Sequence, residues 1–215
     1  MRRFVLFLVT LVLVLQVLAS LVETAVYAGE KIFLDKYDLA YTKGWQYYFK
    51  WVIKPLSAVI AFSLLVPTLC SCCRGPSSST GRGGRVYPSV LGFLSLVMTA
   101  LWAVIVGYQV RNTDNTTADS IINNTLANNM FVYPLGEGFS LKNDCNAVPF
   151  TMIDNGSTAC KLLKAESGLS IGCLGLWGLT FIFSTLLCCI VRRTRQKHAS
   201  SPIYAESPRE TRFAK

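Results

Sequence analysis

Charge is scarce in this sequence. Only 15% of its 215 residues are charged, whereas 52% are hydrophobic and the mean hydropathy is +0.40. Typical soluble domains carry roughly 25% charged residues. The shortage excludes an ordinary soluble domain as the first interpretation and favours a protein embedded in a membrane.

Residues that perform catalysis are also scarce. The single histidine, His198, lies near the carboxyl terminus. No Ser/His/Asp set, paired buried carboxylates, phosphate-cradling glycine loop or His/Glu metal cluster can be recognised. We therefore expect a protein that is not an enzyme and has no cofactor. We expect no nucleic-acid partner, because no basic, aromatic-bearing soluble domain remains to hold it.

Long apolar runs, by contrast, are abundant. A helix needs ~20 mostly apolar residues to cross a hydrocarbon core of ~30 Å. Four runs approach or meet this length, and the last three contain no charged residue: 4–22, 56–73, 87–110 and 168–191. Alternating barrel strands are missing. The sequence predicts an all-α integral membrane four-helix bundle.

The basic residues predict its orientation. Most Lys and Arg lie at the amino terminus, in the 74–86 loop and in the 192–215 tail, opposed there only by Glu206 and Glu210. Cytosolic segments carry such an excess. We expect both termini in the cytosol, outer loops at 23–55 and 111–167, a membrane domain over 1–191, and a disordered basic tail that attracts anionic inner-leaflet lipid.

The first apolar run has a second interpretation. Residues 1–28 have a basic start, an apolar stretch and Val26-Tyr27-Ala28 as a possible cleavage site, as in a secretory signal peptide. The run of about 19 apolar residues exceeds the ~7 to 15 of a signal-peptide core, which favours an uncleaved first helix. Both interpretations leave the rest of the topology unchanged.

The first outer loop interleaves aromatic residues with charges in "DKYDLAYTKGWQYYFKWVIK". Amphipathic rings favour the headgroup zone, and Lys50 and Lys54 could reach outward from it. We expect a short interfacial helix that leads into the second span. A ligand-binding aromatic surface is the alternative.

The larger outer loop between helices 3 and 4 has the marks of an oxidising, glycosylating compartment. Three glycosylation acceptor patterns start at Asn115, Asn123 and Asn155. Cys145 and Cys160 are its only cysteines, and an even pair most simply forms a disulfide. Closing a loop of about 15 residues would contribute roughly 3 kcal/mol. Two free thiols are the alternative.

Five further cysteines crowd the predicted cytosolic ends of spans two and four: Cys70, Cys72, Cys73, Cys188 and Cys189. Cysteines at this depth are candidates for S-palmitoylation. A zinc site would need a tetrahedral Cys or His set that nothing fixes here, and no Cys-x-x-Cys motif lies beside a βαβ unit. Cysteine as a small apolar residue of a helix end is the remaining alternative.

Small residues recur at a spacing of four and predict close helix packing. Two stripes carry them: Ser95, Thr99, Ala103 and Gly107 in span three, and Gly168 and Gly172 in span four. These stripes could meet another helix of the same chain or a helix of another chain, and the sequence leaves both alternatives open.

In span one, Gln16 is expected to form a hydrogen bond to another helix. In the tail, Ser201, Tyr204 and Ser207 are phosphorylation candidates, where added negative charge would oppose attraction to anionic lipid.

The stretch "CKLLKAESGLSIGCLGLWGLTFIFSTLL" combines Cys160 and Lys161 with small residues and Trp177, and Trp102 fits similarly in span three. With four spans and both termini inside, the chain resembles the MARVEL-like four-span proteins, especially the fungal ones, and more distantly tetraspanins and claudins. The tetraspanin Cys-Cys-Gly motif is missing from the large loop, and the claudin-like Gly-Leu-Trp lies inside span four. The resemblance implies a role in membrane organisation, apposition or vesicle traffic.

The sequence thus predicts a non-enzymatic, multi-pass glycoprotein of the plasma membrane or secretory vesicles. Its partners would be the bilayer and other membrane proteins or further copies of itself. The alternative is a small channel or a transporter-accessory subunit. Ion pathways usually place ionisable residues at membrane depth, and predicted spans two to four contain none.

Overall fold

A computed structural model describes residues 2–37, 44–73, 83–112, 141, 144–146, 150–152 and 155–199. Within those ranges the chain is all helical and contains no strand. It forms α1 (Arg2–Lys36), α2 (Trp45–Cys73), α3 (Gly83–Asn112), a short 3-10 helix (Phe150–Met152) and α4 (Gly156–Ala199). The predicted all-α class is confirmed.

The four helices run alternately up and down. Helix α1 packs against α2 and α4, α3 packs against α4, and α2 meets α3 over a smaller area. On α1 and α2 the contact of Ser20 with Ser57 is followed by that of Glu23 with Lys54, so the numbering runs in opposite directions. The result is an antiparallel four-helix bundle in which the start of α1 and the end of α4 lie toward one end. We call that end proximal and the opposite end distal.

The outer surface of the bundle is apolar. All four helices are long and apolar enough to cross a membrane. Large hydrophobic side chains are exposed on each of them, for example Phe7 on α1, Phe62 on α2, Phe93 on α3 and Ile182 on α4. Apolar faces of this extent need a covering, and hydrocarbon provides it along a helix whose backbone bonds are all internal. The four helices are therefore candidate transmembrane helices.

The interior is filled by side chains. Trp102 and Trp177 are fully buried near the middle of the bundle, and Leu13, Leu91 and Met98 fill the space around and below them. Close packing of this kind leaves each helix with a defined rotation. That rotation decides which polar residues point inward.

The helices are longer than the predicted spans. At ~1.5 Å per residue α1 is about 52 Å long, roughly 20 Å more than a hydrocarbon core. Its distal end, with those of α2 and α4, surrounds a second core of Tyr27, Leu34, Tyr47, Phe150 and Leu163, which we call the distal core. Parts of the predicted outer loops are thus continuous with the bundle.

A disulfide closes the distal core. Cys145 is bonded to Cys160 on the first turns of α4, as the sequence predicted, and both residues are buried. Asn155 precedes α4 in a left-handed conformation with φ of 63°, which asparagine tolerates better than most residues. Its carbonyl accepts bonds from the amides of Thr158 and Ala159, so α4 begins at a defined place.

Candidate functional site

Two lysines and two glutamates are buried together between the helices, toward the distal end. Lys50 and Lys54 of α2 donate to Glu166 Oε1 of α4 at 2.9 and 2.6 Å, and Lys54 Nζ lies 3.1 Å from Glu23 Oε1 of α1. All four side chains are at most 3% exposed. We call these four residues the charged cluster.

The rotation of α2 explains why its lysines point inward. Trp45, Tyr48 and Val52 are exposed on one face. Lys50 and Lys54 are one turn apart on the opposite face, where positions four apart are neighbours. The expectation that they reach outward to the headgroup zone is therefore wrong, because their partners Glu23 and Glu166 lie inside the bundle.

Polar side chains extend the cluster to all four helices. Gln109 Nε2 of α3 donates to Glu166 Oε2 at 3.1 Å and to Ser170 Oγ at 3.2 Å. Ser170 Oγ donates to Glu23 Oε1 at 2.6 Å. Each helix therefore contributes at least one member, and the network fixes the relative height of all four.

The ring of Tyr27 covers the cluster on its distal side. Lys54 Nζ lies 3.9 Å from the ring centroid and Lys50 Nζ lies 5.7 Å from it. A desolvated cation over an aromatic face is stabilised by ~2 kcal/mol or more. The Tyr27 hydroxyl donates to the carbonyl of Tyr47, which holds the ring in place. The lysines thus have both carboxylate and aromatic partners.

A second polar layer, closer to the middle of the bundle, converges on Ser57. Its Oγ accepts from Trp177 Nε1 at 2.8 Å, from Trp102 Nε1 at 3.2 Å and from Gln16 Nε2 at 3.3 Å. It also lies 2.9 Å from Ser20 Oγ. The predicted interhelical hydrogen bond of Gln16 is confirmed. We call these five residues the Ser57 layer.

Glu30 differs from the other buried carboxylates. It is 2% exposed, yet neither of its carboxylate oxygens has a hydrogen-bond partner among the described residues. Further buried atoms without a partner there are Gln16 Oε1, Glu23 Oε2, Gln109 Oε1, Ser167 Oγ and Trp51 Nε1. Glu30 is the one acid in this set that lacks a partner at both oxygens.

The predicted acylation sites are partly described. Cys70, Cys188 and Cys189 are free and exposed near the proximal end. Cys72 and Cys73 belong to α2, and nothing is described of their side chains. Another thiol, Cys173, is free but buried in the bundle. Exposure therefore separates Cys70, Cys188 and Cys189 from this internal cysteine.

Of the predicted glycosylation sites, Asn155 is exposed at the start of α4. The remaining predicted sites of modification lie outside the described residues: Asn115, Asn123, Ser201, Tyr204 and Ser207. The accessible Asn155 side chain is sterically suited to a bulky modification.

The small-residue stripes point mostly away from the bundle. Ser95 is buried and Thr99 is half-buried, whereas four members are exposed: Ala103, Gly107, Gly168 and Gly172. A Cβ atom added at any of the three glycines would meet nothing within 4 Å. Close packing inside the chain is therefore not what requires a small residue at these positions.

No group of three or more His, Cys, Asp or Glu side chains that could hold a metal occurs among the residues described.

The sequence did not lead us to predict the charged cluster. The spacing of the charged residues could have indicated it, since Glu23 and Glu30 are seven residues apart, Lys50 and Lys54 are four apart, and each pair lies on one helical face.

No family model, curated protein or solved structure matches this chain.

Proposed function

We propose that the protein is a non-enzymatic multi-pass membrane protein that organises membrane domains, membrane apposition or vesicle traffic by lateral association of its helices. The observation that carries the proposal is the outward orientation of Ala103, Gly107, Gly168 and Gly172. Small residues on a lipid-facing surface allow another helix to approach closely. The partner is a second copy or another membrane protein.

The filled interior supports this assignment. The charged cluster and the Ser57 layer form their ion pairs and hydrogen bonds inside the bundle, and Trp102 and Trp177 fill its middle. Partner proteins are then recognised by the outer faces of the helices. The exposed face of α4 suits it best, because Gly168, Gly172 and Gly175 form a shallow strip there.

The two ends of the bundle complete the proposal. The distal segment, closed by the disulfide and carrying a glycan at Asn155, faces the outside and meets partners. The proximal end faces the cytosol, where acyl chains on Cys70, Cys188 and Cys189 would join the bilayer. Exposed Arg192 and Arg193 lie next to them and attract anionic lipid. A role in membrane organisation is also what the MARVEL-like resemblance of the sequence implies.

Energy transfer between donor-labelled and acceptor-labelled chains in liposomes tests lateral association of the full chain with itself. We expect Ala103→Leu and Gly172→Leu each to reduce transfer at least several-fold. Ala25→Leu is the matched control, because Ala25 is an exposed alanine of α1 outside the stripes. If transfer is lost equally in all three variants, the small-residue faces do not mediate association.

If the wild type shows no transfer, proximity labelling in native membranes tests association with other proteins. We expect the set of labelled membrane proteins to shrink in Gly172→Leu and to stay unchanged in Ala25→Leu. An identical set in both variants would contradict the proposal.

A specific observation favours a second candidate function, a small channel or transporter-accessory subunit. The charged cluster puts ionisable side chains inside the bundle, and such residues usually serve transport when they lie at membrane depth. Ion flux through the purified protein in liposomes distinguishes the two. Flux that Glu166→Gln abolishes would replace the proposal of an organiser by that of a channel.

A further inference from the structure

The buried carboxyl group of Glu30 has no role in the function proposed above. Its side chain is 2% exposed, and the described residues offer no donor to either oxygen. An ionised carboxylate buried without a partner is strongly unfavourable, so such groups are neutralised by a counter-charge or a proton.

The register of the helices locates this carboxyl group. Glu23 contacts Lys54 of α2 and Ser170 of α4, and both helices run antiparallel to α1. Seven residues further along α1 is about 10 Å toward the distal end. Glu30 therefore lies at the height of Tyr47 and Leu163, between the charged cluster and the disulfide-closed segment.

The charges that face Glu30 do not neutralise it. From α2 they are Lys50 and Lys54, from α4 Glu166, and from its own helix Glu23. Tyr27, three residues earlier on α1, is a titratable hydroxyl that interacts with Glu30, and α3 contributes the uncharged Gln109, which bonds to Glu166. The positive charges of Lys50 and Lys54 are already balanced by Glu23 and Glu166. An ionised Glu30 would therefore leave one negative charge in excess.

We propose that Glu30 is a proton-binding site at the distal end of the bundle. A hard metal cation would need about six or more oxygen ligands, and the part of the chain that is described contains no metal-binding group. A proton needs one lone pair of one oxygen. The step is a reversible proton transfer from a hydronium ion to the Glu30 carboxylate, which leaves a water molecule.

Proton binding gives the distal half two states. With Glu30 neutral, the distal core surrounds an uncharged acid. When the proton leaves, a buried and unpaired negative charge lies under the Cys145–Cys160 segment and weakens its packing against Tyr47 and Leu163. The segment that we assign to partner contact, under the proposed function, thereby becomes sensitive to the pH on the distal side.

Infrared difference spectroscopy of the full chain in lipid nanodiscs tests the site directly. On titration we expect the carbonyl stretch of a protonated carboxylic acid to disappear as the pH rises. This band should be absent from Glu30→Gln and present in Asp35→Asn, the control on the same helix, because Asp35 is exposed, pairs with Lys31 and lies outside the charged cluster. A band that survives in Glu30→Gln, or that Asp35→Asn removes instead, would overturn the assignment.

The dependence of thermal stability on pH gives a second readout. Because the folded state holds the proton more tightly than the unfolded chain, the wild-type midpoint should fall as the pH rises, more steeply than that of Glu30→Gln. Equal slopes in both proteins contradict proton binding. A wild-type midpoint that rises with sodium at fixed pH, but not in Glu30→Gln, would replace the proton by a metal ion. Energy transfer between labelled chains is independent of both readouts, so failure of the association proposal remains distinguishable.

Discussion

Lys54 of α2 and Glu166 of α4 are joined by a 2.6 Å contact between two side chains that are both at most 3% exposed. Removing one partner of a buried ion pair is strongly destabilising, by about 3 to 5 kcal/mol, because the other charge stays buried without compensation. Glu166 also serves Lys50 and Gln109. The cluster therefore depends on this carboxylate more than on any one of its donors.

We expect Glu166→Gln to lower the free energy of unfolding by about 3 kcal/mol or more, since it leaves two buried ammonium groups without their shared carboxylate. Unfolding in detergent micelles, followed by circular dichroism, measures the change. Asp35→Asn is the control, because Asp35 forms an exposed pair with Lys31 one turn away and such pairs contribute only about 0.3 to 0.5 kcal/mol. Equal losses in both variants would show that the buried cluster adds no stability.

We expect Ser57→Ala to cost about 1 to 2 kcal/mol, because it removes the common acceptor of the Trp102 and Trp177 indole groups. Tryptophan fluorescence should shift as those groups lose their partner. Ser63→Ala is the matched control, since Ser63 is exposed and donates only to the carbonyl of Val59 in its own helix. The prediction fails if both substitutions leave stability and fluorescence unchanged.

We expect the double variant Cys145→Ser, Cys160→Ser to lose roughly 3 kcal/mol of the stability of the distal segment, as estimated for a loop of about 15 residues. Limited proteolysis should then cleave between 145 and 160 faster than in the wild type. Cys70→Ser, at an exposed free cysteine, serves as control. Unchanged cleavage would mean that packing against Phe150 and Leu163 holds the segment without the bond.

We expect hydroxylamine to remove acyl mass from protein purified from its own membranes. The variant Cys188→Ser, Cys189→Ser should carry less of this mass, because both thiols are exposed near the proximal end. Cys173→Ser should carry the wild-type amount, since Cys173 is buried within the bundle. Acyl mass that depends on Cys173, or none in the wild type, would contradict the acylation prediction.

The sequence predicted the existence of the four helices and the Cys145–Cys160 bond but not the extent of the helices. Predicted span one ended at 22 because Glu23 is charged, yet α1 continues to Lys36. A hydropathy count treats Glu23 as a break, whereas its partner Lys54 makes it an interior residue of the bundle. That pairing depends on α2, which no count along α1 can include.

The small-residue stripe of α3 shows a second limit, which is geometric. A spacing of four residues turns about 40° further than one full helical turn, so three such steps turn about 120°. Ser95 is accordingly buried while Gly107 is exposed. Gln109 lies fourteen residues from Ser95, within about 40° of its direction, and is buried with it. A seven-residue spacing would have identified the interior face.

Helix α4 runs from Gly156 to Ala199 with no proline, whereas α2 contains Pro55 and Pro67. Its 44 residues form a rod of about 66 Å that joins the disulfide-closed segment to the cysteines and arginines of the opposite end. Because no proline interrupts α4, a tilt of its distal end also tilts its proximal end. Under the proposed function, a partner that displaces the distal segment thereby changes the tilt of α4, and with it the position of Cys188 and Cys189 at the proximal end.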